Sequence, residues 1–117
     1  GEGERYYLIH HPDPSIIRGW HAHQFEKKWF QCVKGSFTLA FVKIDDWEKP
    51  SKDLTPEIFQ ISELKSEIIC LPEGYANCIK AQEKDSILMV FSGKGIPEAY
   101  DDSWRYEANT WVDWSKY

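Results

Sequence analysis

The chain has 117 residues, 42% of them hydrophobic, and a formal net charge of −5 at pH 7. This length suits one domain with a single core and is too short for two. The negative charge, with Lys and Arg scattered along the chain, argues against nucleic-acid binding. No apolar run approaches the about 20 residues that span a bilayer, so the sequence predicts no membrane partner and a cytoplasmic location.

Eight short runs rich in β-branched and aromatic residues follow one another, mostly separated by Gly, Pro, Asp or Lys-rich breaks. This rhythm is typical of a sandwich or a barrel, so we expect an all-β domain without a useful helix before residue 95. The predicted strands are 5–10, 16–21, 28–33, 36–44, 57–61, 68–71, 77–81 and 86–92.

The clearest strand pattern is that of the run 36–44, in which apolar and smaller residues alternate. Phe37, Leu39 and Phe41 share one face, which predicts a half-buried strand. Lys34 and Gly35 before it predict a tight turn, and the polar stretch 45–55 after it predicts a long loop.

The last segment, 96–117, has Trp and Tyr among acidic residues without a clean period, so we expect a short helix and an irregular tail packed on the barrel. With that tail, residues 1–117 form one domain. Cys32, Cys70 and Cys78 lie in apolar runs, and their odd number argues against a disulfide framework. We expect all three to be reduced core residues.

The segment 18–23, Arg-Gly-Trp-His-Ala-His, is followed at fixed spacing by Lys28 and Gly35. His21 and His23 point to the same face of a strand. This spacing resembles the first motif of the cupin superfamily, and the segment 72–77, Pro-Glu-Gly-Tyr-Ala-Asn, resembles the second. The resemblance implies an all-β, RmlC-like cupin jelly-roll β-barrel.

Metal-binding cupins carry Glu and His where this sequence has Lys28 and Asn77. A protonated Lys repels a divalent cation, and Asn is a poor transition-metal ligand. We therefore expect no metal and no cofactor. A metal-dependent cupin, such as a small dioxygenase that uses His21 and His23 with Glu26, is the alternative.

Within the cupins, Arg18, His21 and Lys28 resemble the motif of the dTDP-4-dehydrorhamnose 3,5-epimerases, which use no metal. The His-Ala-His of residues 21–23 is similar to that of the dTDP-sugar 3,4-ketoisomerases. The resemblance spans about residues 16–114 and implies a metal-independent isomerase whose substrate partner is a nucleotide-linked 4-keto-6-deoxy sugar. The epimerase is the first hypothesis, and the ketoisomerase and a non-catalytic sugar-binding cupin are the alternatives.

The resemblance also implies residue roles. His21 is the base that removes a proton next to the ketone, Lys28 stabilises the enolate, and His23 assists in the ketoisomerase reaction. Arg18 holds a phosphate oxygen. The other residues expected to bind substrate are Trp20, Trp29, Tyr75 and Asn77.

Three features separate this sequence from the epimerases. Asn77 stands where the epimerases have the His of the second motif. Phe91 stands at the strand position where they have a Tyr that acts as an acid. The sequence also starts too late for an N-terminal strand that these families carry. Tyr75, Tyr100 or Tyr106 could replace that acid. The family resemblance also implies a homodimer, which would cover exposed sheet edges.

Overall fold

Nine strands and one 3₁₀ turn form within residues 4–94 and 102–117, the part of the chain that the structure, a computed structural model, describes. They are β1 Glu4–His11, β2 Ile17–Ala22, β3 Glu26–Lys34, β4 Ser36–Lys43, β5 Glu57–Ser62, β6 Ile69–Leu71, β7 Tyr75–Ala81, β8 Ser86–Lys94, β9 Trp104–Tyr106 and the turn Trp114–Lys116.

The strands form two antiparallel sheets, with orders β1-β8-β3-β6 and β5-β4-β7-β2-β9. We call them the front sheet and the back sheet. Most chain-consecutive strands lie in different sheets, so the chain repeatedly crosses between the two layers. This is a jelly roll, and the predicted all-β class is confirmed.

The first core fills the space between the two sheets. Phe37, Leu39 and Phe41 of β4 face it from the back sheet, and Phe30 and Leu88 face it from the front sheet. All five side chains are at most 2% exposed. Since large apolar side chains alternate along these strands, their burial drives the two sheets together.

A second core covers the outer face of the back sheet. Trp20 and Cys78 from that face pack with Trp111 and Trp114 of the C-terminal segment. The prediction that residues 36–44 form a half-buried strand is therefore wrong, since Ala40, on the second face, is also fully buried. The periodicity within the strand could not show that a distant segment covers its other face.

The described part of the C-terminal segment, 102–117, adds β9 to the edge of the back sheet beside β2. The short helix expected after residue 95 falls mainly on 95–101, outside the described residues. Within the described residues no helix is long and apolar enough to cross a membrane.

The three cysteines are free thiols. Cys32 and Cys78 are buried, and burial raises their pKa values to about 11 and about 12. Cys70 is exposed, so its predicted place in the core is wrong. It alternates with the inward-facing Ile69 and Leu71 on the short strand β6, which directs its side chain outward.

The turn between β3 and β4 is as tight as the sequence predicts. Gly35 has a φ of +73°, and a Cβ there would lie 2.1 Å from the Ser86 Oγ. Glycine is therefore required both by the backbone conformation and by the close approach of β8.

Candidate active site

A cavity of about 330 Å³ opens between the two sheets. Such a volume is at the lower end of the range typical of small-molecule sites. The residues that line it lie on β1, β2, β3, β7 and β9 or directly after β2, and they are Arg5, Tyr7, Ile9, Arg18, Gly19, His21, His23, Lys28, Phe30, Asn77, Ile79 and Arg105.

A β-bulge in β2 directs two motif residues into this cavity. Arg18 pairs with Ile79 and His21 with Asn77, so β2 has one more residue than β7 between these pairs. In a regular strand Arg18 and His21 would point to opposite faces. The extra residue lets both line the cavity.

His21 and His23 lie side by side, with ring centroids 4.4 Å apart. The Nε2 of His21 is 2.9 Å from the Ser103 Oγ. Burial, followed by the charges of His23 and Lys28, lowers the pKa of His21 to about 3. The His21 imidazole is therefore neutral at pH 7 and can accept a proton.

His23 is held by the segment that precedes β9. Its Nδ1 donates to the carbonyl oxygen of Asp102 over 2.6 Å. The Asp102 carboxylate in turn accepts from the backbone amides of Gln24 and Phe25, at 2.7 and 3.0 Å. These bonds fix the turn that follows β2, and with it the orientation of the His23 ring.

A buried carboxylate lies behind the two cavity residues His23 and Lys28. The Glu26 Oε2 is 3.6 Å from the His23 Nε2 and 3.8 Å from the Lys28 Nζ. Burial lowers the pKa of Lys28, while the Glu26 charge opposes that change. Burial, followed by the Lys28 charge, also lowers the pKa of His23, while the Glu26 and Asp102 charges oppose that change.

The lining is strongly cationic although the chain is acidic overall. Arg5, Arg18, Lys28 and Arg105 all face the cavity, and none of the described side chains that line it is acidic. The three arginines are exposed, whereas Lys28 is 6% exposed. This arrangement suits a multiply charged anion, because Arg binds phosphate oxygens through two parallel hydrogen bonds.

The structure brings together five of the residues that the sequence singled out, namely Arg18, His21, His23, Lys28 and Asn77. Asn77 is 5% exposed, and its Nδ2 donates to the backbone oxygen of His21 over 3.2 Å. Asn77 thus supports β2 at the point where His21 enters the cavity.

The expected role of Trp20 in substrate binding is wrong. Trp20 is 0% exposed in the second core, where its Nε1 donates to the Ala108 oxygen. Trp20 lies within the bulge, and its side chain is on the opposite face of β2 from that of His21. Trp29 and Tyr75 are half-buried and do not line the cavity.

Sequence reasoning missed Tyr7, Arg5 and Arg105 as cavity residues. Burial raises the pKa of Tyr7, so its phenol keeps its proton at neutral pH. The alternation of Arg5, Tyr7 and Ile9 along β1 was the available signal, since all three point inward. Phe91 is 39% exposed on the outer face of the front sheet, so a Tyr at that position would not reach the cavity.

Of the other tyrosines considered as acids, Tyr106 donates its hydroxyl to the Trp47 oxygen and does not line the cavity. Tyr100 lies outside the described residues.

The donor set does not suit a metal ion. Within 4–94 and 102–117 no group of three or more His, Cys, Asp or Glu side chains could hold one. The Glu26 oxygen nearest His23 also contacts the Lys28 ammonium, which would compete with a cation for that carboxylate.

The family model described as FdtA, WxcM-like, C-terminal, matches residues 2–106. The chain belongs to this family. A comparison with curated proteins gave no match.

Solved structures with the same fold include nucleotide-sugar enzymes. This WxcM-like chain is 14% identical to the dTDP-4-dehydrorhamnose 3,5-epimerase of Bacillus anthracis solved with TDP and pyrophosphate bound, with a TM-score of 0.74 over 90% of its length. It is 19% identical to a His-to-Asn variant of the 3,4-ketoisomerase QdtA of Thermoanaerobacterium thermosaccharolyticum, solved in complex with TDP-4-keto-6-deoxyglucose. The TM-score is 0.64 over 87% of the WxcM-like chain.

A third similar structure is the capsular polysaccharide assembling protein CapF of Staphylococcus aureus, at 20% identity and a TM-score of 0.67 over 89% of the WxcM-like chain. The chain spans 59%, 65% and 26% of the epimerase, the ketoisomerase and CapF. These likenesses confirm the predicted cupin jelly roll of the RmlC type.

Proposed function

We propose that this protein is a metal-independent isomerase of a nucleotide-linked 4-keto-6-deoxy sugar, and that it moves the ketone from carbon 4 to carbon 3. The observation that carries the proposal is the placement of His21 and Lys28 in one cavity that three arginines also line. The bound TDP-sugar of the ketoisomerase structure supports the choice of substrate.

The anionic part of such a substrate fits the exposed arginines. A nucleoside diphosphate carries at least two negative charges, and Arg5, Arg18 and Arg105 offer paired donors to phosphate oxygens. With the diphosphate at the arginines, the sugar lies nearer the buried Lys28 and His21. The 4-keto oxygen then meets a cation, which favours formation of an enolate.

The reaction needs one base for carbon and one acid–base group for oxygen. His21 removes the proton from carbon 3 and returns it to the adjacent carbon 4 on the same face of the sugar. The hydroxyl on carbon 3 loses its proton and the oxygen on carbon 4 gains one, so no atom or electron is left over. Lys28 suits this second transfer, because its pKa is lowered by burial and an ammonium offers three donors.

His23 acts differently from the role that resemblance implies. Its Nδ1 faces the Asp102 carbonyl oxygen and its Nε2 faces Glu26, so a direct bond to substrate would require the ring to turn. We propose that it supports His21 by packing against the ring at 4.4 Å.

The 3,5-epimerase is the second candidate, and Tyr7 is the observation that favours it. Epimerisation requires an acid that returns the proton from the opposite face of the sugar. Tyr7 comes from the front sheet, across the cavity from β2, and its phenol remains protonated at neutral pH. In this reaction Tyr7 is the acid, which no motif of the sequence identified.

Product analysis distinguishes these candidates. We expect dTDP-4-keto-6-deoxyglucose incubated with the protein to give a 3-keto isomer, identified by proton NMR. A product inverted at carbons 3 and 5 would identify the epimerase instead. Tight TDP-sugar binding with no product would leave a sugar-binding cupin and would contradict both isomerases.

TDP binding is expected to raise the pKa of His21. The value of about 3 reflects burial and the nearby cations, and bound phosphates would neutralise part of that positive charge. We expect an increase of at least about one unit toward the ordinary value of 6.5, measured by NMR titration of the imidazole with and without TDP. An unchanged or lower pKa with TDP bound would contradict the placement of the phosphates beside the arginines.

We also propose a homodimer that covers the outer face of the front sheet. Tyr6 and Leu8 are 70% and 61% exposed there, and the Tyr6 and Phe91 rings lie 5.7 Å apart. Exposed apolar patches of this kind mark interaction sites. Sedimentation equilibrium that gives a monomer at micromolar concentration would contradict the dimer. The cytoplasmic location stays a prediction.

A further inference from the structure

Two buried polar atoms beside the cavity face each other without hydrogen-bond partners among the described residues. They are the His23 Nε2 and the Glu26 Oε2, 3.6 Å apart. The side chains are 11% and 10% exposed. A buried polar atom without a partner costs free energy, so the pair requires an explanation.

The position of one His23 proton follows from its partner. A backbone carbonyl oxygen only accepts hydrogen bonds, so the 2.6 Å contact with Asp102 places a proton on Nδ1. In the neutral ring, Nε2 then carries a lone pair. This lone pair and the Glu26 carboxylate oxygen repel each other. A proton on Nε2 would make the contact between the two atoms attractive.

Lys28 contacts the same carboxylate oxygen from the other side. Its Nζ is 3.8 Å from the Glu26 Oε2, and its side chain is 7% exposed. The ammonium is therefore largely removed from water, and Glu26 is its anionic neighbour. Removal of that carboxylate would leave Lys28 among the cations Arg5, Arg18 and Arg105.

We propose that Glu26 is a positioning residue for Lys28 and His23, and that its carboxylate stabilises a proton bound to the His23 Nε2. Glu26 lies behind the cavity lining and does not contact substrate. It keeps the Lys28 ammonium aimed at the reacting oxygens and holds the His23 ring against His21. This role rests on the proposed isomerase function, but the contact between Glu26 and His23 is a property of the free protein.

The direct test is NMR titration of His23 in the free Glu26→Gln variant. The Gln amide can donate to Nε2 and would fix the neutral ring, whereas the carboxylate favours the protonated ring. The other titratable groups that face His23, which are Lys28, His21 and Asp102, remain. We expect the His23 pKa to fall by about one unit or more relative to the wild type.

The activity test separates positioning from substrate binding. In Glu26→Gln we expect kcat to fall by about 10-fold, less than the about 100-fold or more that loss of a general base causes. KM for the nucleotide sugar should change by less than about 3-fold, because the carboxylate lies outside the cavity lining. The pH–rate profile should shift with the His23 and Lys28 pKa values, and Glu26→Asp should restore part of kcat.

The matched control is Glu73→Gln, which removes a half-exposed carboxylate that lies 3.9 Å from Lys27. We expect this variant to keep the wild-type kcat and pH profile. A His23 titration unchanged in Glu26→Gln would overturn the proposal. If the wild type does not convert the nucleotide sugar, the isomerase function fails, and the His23 titration still decides the role of Glu26.

Discussion

Replacing His21 with Asn is expected to lower kcat at least about 100-fold, the smaller end of the range for loss of a general base. Asn cannot take a proton from carbon at neutral pH, but it keeps a polar group that can bond to the Ser103 hydroxyl. His21 lies outside both cores, so the melting temperature should change by only a few degrees. Steady-state kinetics and thermal unfolding measure the two effects.

The matched control is His10→Asn, the same substitution at an exposed imidazole whose Nε2 is 3.1 Å from Asp85. His10 does not line the cavity, so this variant should keep wild-type turnover. A His21→Asn protein that kept more than a tenth of wild-type kcat would remove His21 from its assigned role as the base.

Replacing Trp20 with Ala is expected to lower the free energy of unfolding by about 3–5 kcal/mol, the usual cost of truncating a buried aromatic residue. Trp20 is fully buried and packs edge-to-face on Trp111, with ring centroids 4.9 Å apart. Its removal would leave a cavity between the back sheet and the C-terminal segment. Chemical denaturation of the variant and the wild type measures the difference.

A second variant, Trp20→Phe, separates volume from hydrogen bonding. It keeps most of the apolar contact but removes the donor to the Ala108 oxygen, which still accepts from the Trp114 Nε1 at 3.0 Å. We expect the free energy of unfolding of this variant to fall by only about 1–2 kcal/mol. If Trp20→Ala instead unfolds like the wild type but loses affinity for TDP, Trp20 contacts the ligand and its assignment to the second core is wrong.

The strands were predictable because local patterns determine them. All eight predicted runs overlap observed strands, and Gly35 ends β3 where the sequence places a turn. The strand β9 was missed. It has only three residues, and its pairing with β2 depends on contacts about 80 residues apart in the chain.

The orientation of residues around the bulge was less predictable. Strict alternation places His21 and His23 on one face, which is observed, but it also places Arg18 on the opposite face from His21. The bulge that corrects this lies between Arg18 and His21, and Gly19 was the available signal, because an isolated Gly within a strand often marks a bulge. The substrate-binding role assigned to Trp20 failed because the segment that buries it lies about 90 residues away.

In the candidate site, too, the residues of sequence motifs were predictable and the residues placed only by tertiary structure were not. The motif residues His21, His23 and Lys28 lie at the cavity because their spacing fits consecutive strands of one fold. Tyr7 and Arg105 come from strands without a motif, and only their tertiary position places them beside His21. The sequence indicated Glu26 only as a ligand in the metal-dependent alternative. Its contacts with both His23 and Lys28 depend on the turn that Asp102 holds.

The most direct test of the proposed function is incubation of the protein with dTDP-4-keto-6-deoxyglucose in heavy water, with deuterium at each sugar carbon followed by proton NMR. The ketoisomerase mechanism predicts a 3-keto sugar that carries deuterium at carbon 4, because the proton taken from carbon 3 exchanges with solvent on His21 before it is returned, and it predicts no exchange at carbon 5. Exchange at both carbon 3 and carbon 5 would identify the epimerase. Absence of both deuterium exchange and 3-keto product, in protein shown to bind TDP, would contradict proton abstraction by His21.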